Sequence, residues 1–271
     1  MTQFVETAMR RDRAVTIGAL VILSVLAWGW LFSGTGMSMD PTVSLSAFSV
    51  IEPPAPGMAM GMPMSEPAAW TAGLFLLILS MWWVMMVAMM LPSAAPTILL
   101  YARASANGMA RVRPATGSFL AGYQLAWGGF SLLAALMQLV LERSDLLARM
   151  EMASANRMLS AALLILAGAY QLSPLKQVCL KHCRSPAHFL SRYFRPGRFG
   201  ALRMGAYHGA YCIGCCWMLM ALLFVGGVMN LAWIALLTML VGAEKLLPFG
   251  RLVAIGAGVG CMIWGGLLIA A

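Results

Sequence analysis

The sequence predicts an all-α membrane helix bundle of about seven transmembrane helices, its N-terminus inside and its C-terminus outside. Three observations point there: 61% of the 271 residues are hydrophobic and only 10% charged, several apolar runs approach the ~20 residues that cross a bilayer, and the basic residues fall on one side of those runs. A soluble domain carries roughly a quarter charged residues.

The seven runs are approximately 14 to 33, 70 to 91, 117 to 141, 158 to 173, 205 to 228, 231 to 247 and 251 to 271. Arg10, Arg11 and Arg13 precede the first run as they would precede a signal peptide. The run is long enough to span, however, and no small-x-small site closes it, so it reads as a retained helix. Around Asn230 only a turn-like segment divides the fifth run from the sixth. The whole chain, 1 to 271, reads as one transmembrane domain with two long connections: a Met- and Pro-rich outer loop over 34 to 69, and a basic cytoplasmic loop over 174 to 204.

With the N-terminus inside, fifteen of the eighteen lysines and arginines face the cytoplasm; only Arg143, Arg149 and Arg157 lie outside. The outer segments hold six of the nine acids: Asp40, Glu52, Glu66, Glu142, Asp145 and Glu151. This asymmetry, with anionic lipid as its partner, accounts for the net charge of +9 and leaves no case for nucleic acid. The expected location is the bacterial inner membrane, as a multi-pass protein.

Chemistry concentrates in five places. In YHGAYCIGCCW, His208, Cys212 and Cys215 follow i, i+4, i+7 spacing and share an arc of about 60° on a helix, while Cys216 turns toward a neighbour. Thiolate and imidazole suit Cu(I) and Zn(II), and buried cysteine as a small apolar residue is the plainer alternative. In KQVCLKHCR, Cys179 and Cys183 are i, i+4 neighbours if the fourth helix continues inward, a spacing that chelates metal. A structural disulfide is not expected in a reducing cytoplasm.

In SMWWVMMVAMMLP, Met85, Met86, Met89 and Met90 continue a stripe begun at Met81; thioethers favour Cu(I), though packing alone explains methionine in many helices. Trp82 and Trp83 sit mid-span, away from an interfacial belt, and are expected to pack. The outer GMAMGMPM alternates Met58, Met60, Met62 and Met64, a capture site for Cu(I) or a loop that dips into lipid. Glu244, counted among the candidate metal ligands, ends the sixth run, where an acid needs a partner. Its neighbour Lys245 diverges around the helix, so His208 or a basic loop residue is the expected partner. In the predicted topology Met85 to Met90, Tyr123 and Gln124, Tyr170 and Gln171, His208, Cys212, Cys215 and Glu244 all fall in the cytoplasmic half of the membrane.

The ordered set WWVMMVAMMLP (82–92), YQLSPLKQVCLKHCRSP (170–186), GAYHGAYCIGCCWMLM (205–220) and Glu244-Lys245 resembles a bacterial family of predicted metal-binding integral membrane proteins of unknown function. The resemblance spans about residues 70 to 250. It implies a polytopic membrane protein with a metal site at the cysteine, histidine and methionine motifs and no assigned reaction.

The residues thus point to copper, with zinc the alternative, and to transport of Cu(I) across the membrane or its delivery to a protein partner. Thiol-disulfide chemistry through C-x-x-C-C and C-x-x-x-C is the competing reading, and an accessory subunit of a membrane complex the third. No catalytic residues are assigned, and no nucleotide-binding loop is present to drive a pump.

Overall fold

The computed structural model describes residues 2–33, 71–106, 115–144, 146–148, 153–154 and 156–270. Its elements are α1 (Thr2–Phe32), α2 (Ala72–Ala106), α3 (Thr116–Arg143), a two-residue antiparallel pair β1 (Leu147–Ala148) and β2 (Ala153–Ser154), α4 (Arg157–Leu172), α5 (Pro174–Arg184), α6 (Pro186–Tyr193), α7 (Gly197–Ala221), α8 (Leu223–Gly226), α9 (Leu231–Leu246) and α10 (Gly250–Ala270). All seven apolar runs are helical. Five helices are long and apolar enough to cross a membrane: Ala14–Phe32, Ala72–Ser105, Thr116–Arg143, Gly197–Gly226 and Gly250–Ala270. The expected count of seven drops because α4 and α9 have only 16 residues each, about 24 Å at 1.5 Å per residue. Joined to α5 across a 63° bend, α4 makes a sixth candidate.

The breaks have local causes. Ser173 ends α4 in an extended conformation and its hydroxyl accepts from the backbone N–H of Lys176, while Pro174 opens α5. A proline at the first helical position loses no helix hydrogen bond, so it starts a new helix here and does not extend the old one. Pro186 opens α6 the same way. The stretch 174 to 204, expected as a basic loop, is therefore α5, α6 and the first turns of α7. At the other doubtful boundary, Gly227 adopts φ +91° and Asn230 caps α9 by accepting from Trp233 N–H at 3.0 Å. That combination of a left-handed glycine and an Asn cap separates the fifth run from the sixth.

Two helix pairs meet through glycine. A Cβ on Gly122 of α3 would run into the backbone carbonyl of Leu202, one on Gly205 of α7 into that of Phe119, and one on Gly209 would lie 2.6 Å from the Ala126 methyl. In the second pair, Gly168 of α4 faces Gly258 of α10, whose carbonyl would be 2.6 Å from an added Cβ, and Gly265 faces Ala161. Such close backbone approach is how helices associate where their surroundings are as apolar as their side chains. Facing outward are Val21, Leu26, Leu76, Leu133, Leu252 and Leu267. The methionine stripe of α2 packs in the centre: Met81, Met85, Met86, Met89 and Met90 are all buried. Trp82 is buried and donates its indole N–H to Gln138 Oε1 at 2.8 Å, whereas Trp83 is 44% exposed.

Replacing Gly205 with leucine sets a branched side chain against the α3 backbone. It is expected to destabilise the bundle by about 1–3 kcal/mol or more, read as a lowered Tm in detergent. Gly129→Leu, on the same helix pair but with nothing within 4 Å of its added Cβ, is expected to leave Tm unchanged.

Candidate metal centre

The face that α7 buries carries Gly205, His208, Gly209, Cys212, Cys215 and Cys216. Its spacing is the one the sequence shows, and the glycines bring that face close enough to α3 for Tyr123 to reach it. The Tyr123 hydroxyl lies 3.2 Å from both Cys212 Sγ and the Met90 carbonyl. Cys216 Sγ stands 3.8 Å from Met90 Sδ on α2. Cys215 Sγ stands 3.9 Å from Cys183 Sγ on α5, and Cys183 neighbours Cys212 as well.

The bend at Ser173 and Pro174 produces this convergence. It turns α5 back along α7, so Cys179 and Cys183 join the C-x-x-C-C motif instead of leading away from it. Gly214 makes room for Cys179: a Cβ there would lie 2.9 Å from its sulfur. On the carbonyl side the same glycine accepts a hydrogen bond from the Tyr170 hydroxyl.

The cysteines are free thiols, and in this state two of them look back into their own helix. Cys215 and Cys216 Sγ donate to the carbonyl of Cys212 at 3.1 and 2.9 Å. Among the described residues no three His, Cys, Asp or Glu side chains form a ready ligand group. The soft donors that do gather are Cys212, Cys215, Cys216 and Cys183 with the Met90 thioether. His208 is 3% exposed, packed among Phe119, Tyr123 and Phe189. Its Nδ1 has no hydrogen-bond partner among the described residues, a deficit that buried polar groups rarely carry.

Lys245 is the residue the sequence reading left out. Its Nζ lies 3.0 Å from Cys212 Sγ, 3.9 Å from Met90 Sδ and 3.3 Å from Ser93 Oγ. The divergence of adjacent helix positions that separates it from Glu244 sends it into the sulfur cluster.

Glu244 points the other way, and its partner is indeed a residue of the basic stretch. Lys176 Nζ is 2.6 Å from Glu244 Oε2, both groups being essentially buried. Gln171 donates to Glu244 Oε1 at 2.7 Å and accepts from Lys176. With both oxygens engaged, Glu244 stands apart from the sulfurs. Of the α2 methionines, Met90 is the one the structure sets against a cysteine; Met85, Met86 and Met89 continue the buried stripe along α2. Met58, Met60, Met62 and Met64 lie outside the described residues.

Three buried thiols of α7, a half-buried thiol of α5 and the Met90 thioether of α2 define a helical protein with a soft-donor cluster. The chain belongs to the PpoB2 family, described as copper chaperone, which matches residues 79–268. That span includes every cluster residue named above and excludes the outer methionines. No curated protein and no solved structure matches the chain.

Removing one partner of a buried ion pair leaves a bare charge and typically costs about 3–5 kcal/mol, while replacing both with apolar groups is often neutral. Lys176→Met is therefore expected to lower Tm sharply and Lys176→Met/Glu244→Leu to recover most of the loss, measured by thermal unfolding in detergent.

Proposed function

We propose that this chain is a multi-pass protein of the bacterial inner membrane that receives Cu(I), holds it at the sulfur cluster and hands it to a protein partner. The observation that carries the reading is the convergence of Cys183, Cys212, Cys215 and Cys216 with Met90 in one buried place. A mixture of thiols and thioether suits a soft monovalent ion. Membership of a copper chaperone family supports copper over zinc and delivery over net transport. The five long apolar helices and their outward leucines and valines support insertion in a bilayer. The basic asymmetry supports a cytoplasmic position for α5, α6 and the cluster.

In this reading Cys212 and Cys216 with Met90 are the first holders of the ion, and His208 Nδ1 is a nitrogen donor at the same level. Binding draws the Cys215 and Cys216 thiols away from the Cys212 carbonyl and releases their protons, since the thiolate is the ligand form. Cys183 and then Cys179 extend the sulfur path along α5. The outer methionines Met58, Met60, Met62 and Met64 offer thioethers for capture on the opposite side.

One distance supports a second reading. Cys183 and Cys215 stand 3.9 Å apart on different helices, close enough to join in a disulfide, so a membrane thiol oxidoreductase is the competitor.

Protein purified without oxygen from copper-replete cells is expected to retain copper, and Cys212→Ser/Cys215→Ser to lose nearly all of it, measured by elemental analysis of metal per chain. Metal-free wild type with a Cys183–Cys215 disulfide found by peptide mass mapping would favour the redox reading instead.

A further inference from the structure

Lys245 is an unusual neighbour for a cluster of soft donors. An ammonium is strongly hydrated and is rarely buried without a carboxylate, yet Lys245 is 7% exposed. Glu244, the acid beside it in sequence, is taken by Lys176 and Gln171. Among the described residues the atoms around Lys245 Nζ are Cys212 Sγ at 3.0 Å, Ser93 Oγ at 3.3 Å and Met90 Sδ at 3.9 Å. Two of these three are the sulfurs assigned above to the copper ion.

We propose that Lys245 is an exchange cation: its ammonium fills the metal position of the empty centre, and a monovalent soft metal ion displaces it. The inference rests on the copper-holding reading of the cluster. A thioether carries no charge, so a lone pair of Met90 that faces an ammonium N–H is not free for a metal, and two cations against the same sulfurs repel. At 4 Å and an effective dielectric near 20 this repulsion is large compared with thermal energy, so the ammonium gives way.

It has somewhere to go. Ser93 is only partly buried, and its hydroxyl, which donates to the Met90 carbonyl at 2.9 Å, already receives the ammonium on the surface side of the cluster. The four-carbon stem of lysine lets the head group move toward water while the chain stays packed.

Exchange of one unit charge for another leaves the metal position itself with a single positive charge, while each thiol that becomes a ligand gives its proton to solvent. Return of the ammonium also gives the ion a route out, because the empty centre keeps a cation against its sulfurs.

The probe is Ag(I), a monovalent soft ion that does not change oxidation state, titrated into full-length protein in detergent without oxygen. Lys245→Leu removes the competitor without adding a donor atom and is expected to bind Ag(I) about ten- to a hundredfold more tightly, and to surrender it more slowly to a thiol chelator. A second measurement uses the native chain. Acetimidate labelling of Lys245, located by peptide mass mapping, is expected to be slow in the empty protein and to rise severalfold once Ag(I) is bound. Unchanged or weaker Ag(I) binding by Lys245→Leu, or labelling that does not change in wild type that has bound Ag(I), would mean that the ammonium stays in place and would overturn the exchange. Failure of wild type to bind Ag(I) at all would overturn the copper-holding reading and the exchange with it, which sets that outcome apart from the other two.

Discussion

The buried pair of Lys176 and Glu244 is the constraint on which the centre depends. In an apolar surrounding neither charge is tolerable alone, so the first turn of α5 must lie against the last turn of α9, with Gln171 of α4 closing the arrangement. Three helices are fixed by one interaction, and two of them carry something the centre uses. From Lys176 two turns of α5 deliver Cys183 to Cys215. From Glu244 a single step along α9 delivers Lys245 to Cys212. The pair acts with other contacts that hold α5 folded back: Leu180 is buried, His182 stacks on Tyr211, and Arg184 donates to the carbonyls of Leu247 and Pro248, while Ser173 and Pro174 define a bend but not its direction.

A second constraint acts on α7 from the opposite side. Gly122, Gly205 and Gly209 let α3 and α7 come nearly into backbone contact, so the Tyr123 hydroxyl meets both Cys212 and Met90. Helices in lipid gain little from burying apolar side chains, because lipid tails are apolar too, and close packing with buried polar contacts has to orient them. Here the two devices divide the work. Glycines set the distance between α3 and α7, and the ion pair sets where α5 and α9 approach them. The sulfur cluster lies between.

Much of this was legible in the sequence because it depends on spacing within one helix. The i, i+4, i+7 pattern of His208, Cys212 and Cys215 put them on one face, and the structure buries that face. The common depth of Met90, Tyr123, Cys212 and Glu244 followed from counting along antiparallel helices, and the expectation that Glu244 needs a basic partner held. What the sequence could not disclose was direction after a break. Proline at 174 signals a new helix as readily as the end of one, and nothing local says that α5 returns to α7; the basic character of 174 to 204 argued for a loop in water. Lys245 was missed for a related reason. Its divergence from Glu244 was recognised, but the position of its own target depends on α2 and α7, which are distant in sequence. Seven spans were read where five helices are long enough to cross, because the runs over 158 to 173 and 231 to 247 were counted although they are hardly longer than the 16-residue helices they form.

In the proposed role the chain passes an ion on and has to tolerate being empty, a need that the local hydrogen bonding of these thiols would meet. A set of naked thiolates held apart for a metal would be costly in a buried site, and would keep the ion once bound. In this structure Cys215 and Cys216 rest on the Cys212 carbonyl, and Cys212 has Tyr123 and Lys245 beside it. Each of these thiols therefore has a partner before a metal arrives, and each partner is exchanged for the metal, not added to it. The gain on binding is reduced by the hydrogen bonds given up, and the cost of release is reduced by the same amount. His208 Nδ1 differs, since it has no partner to lose among the described residues. In the proposed role, a ligand bond there would displace no existing hydrogen bond.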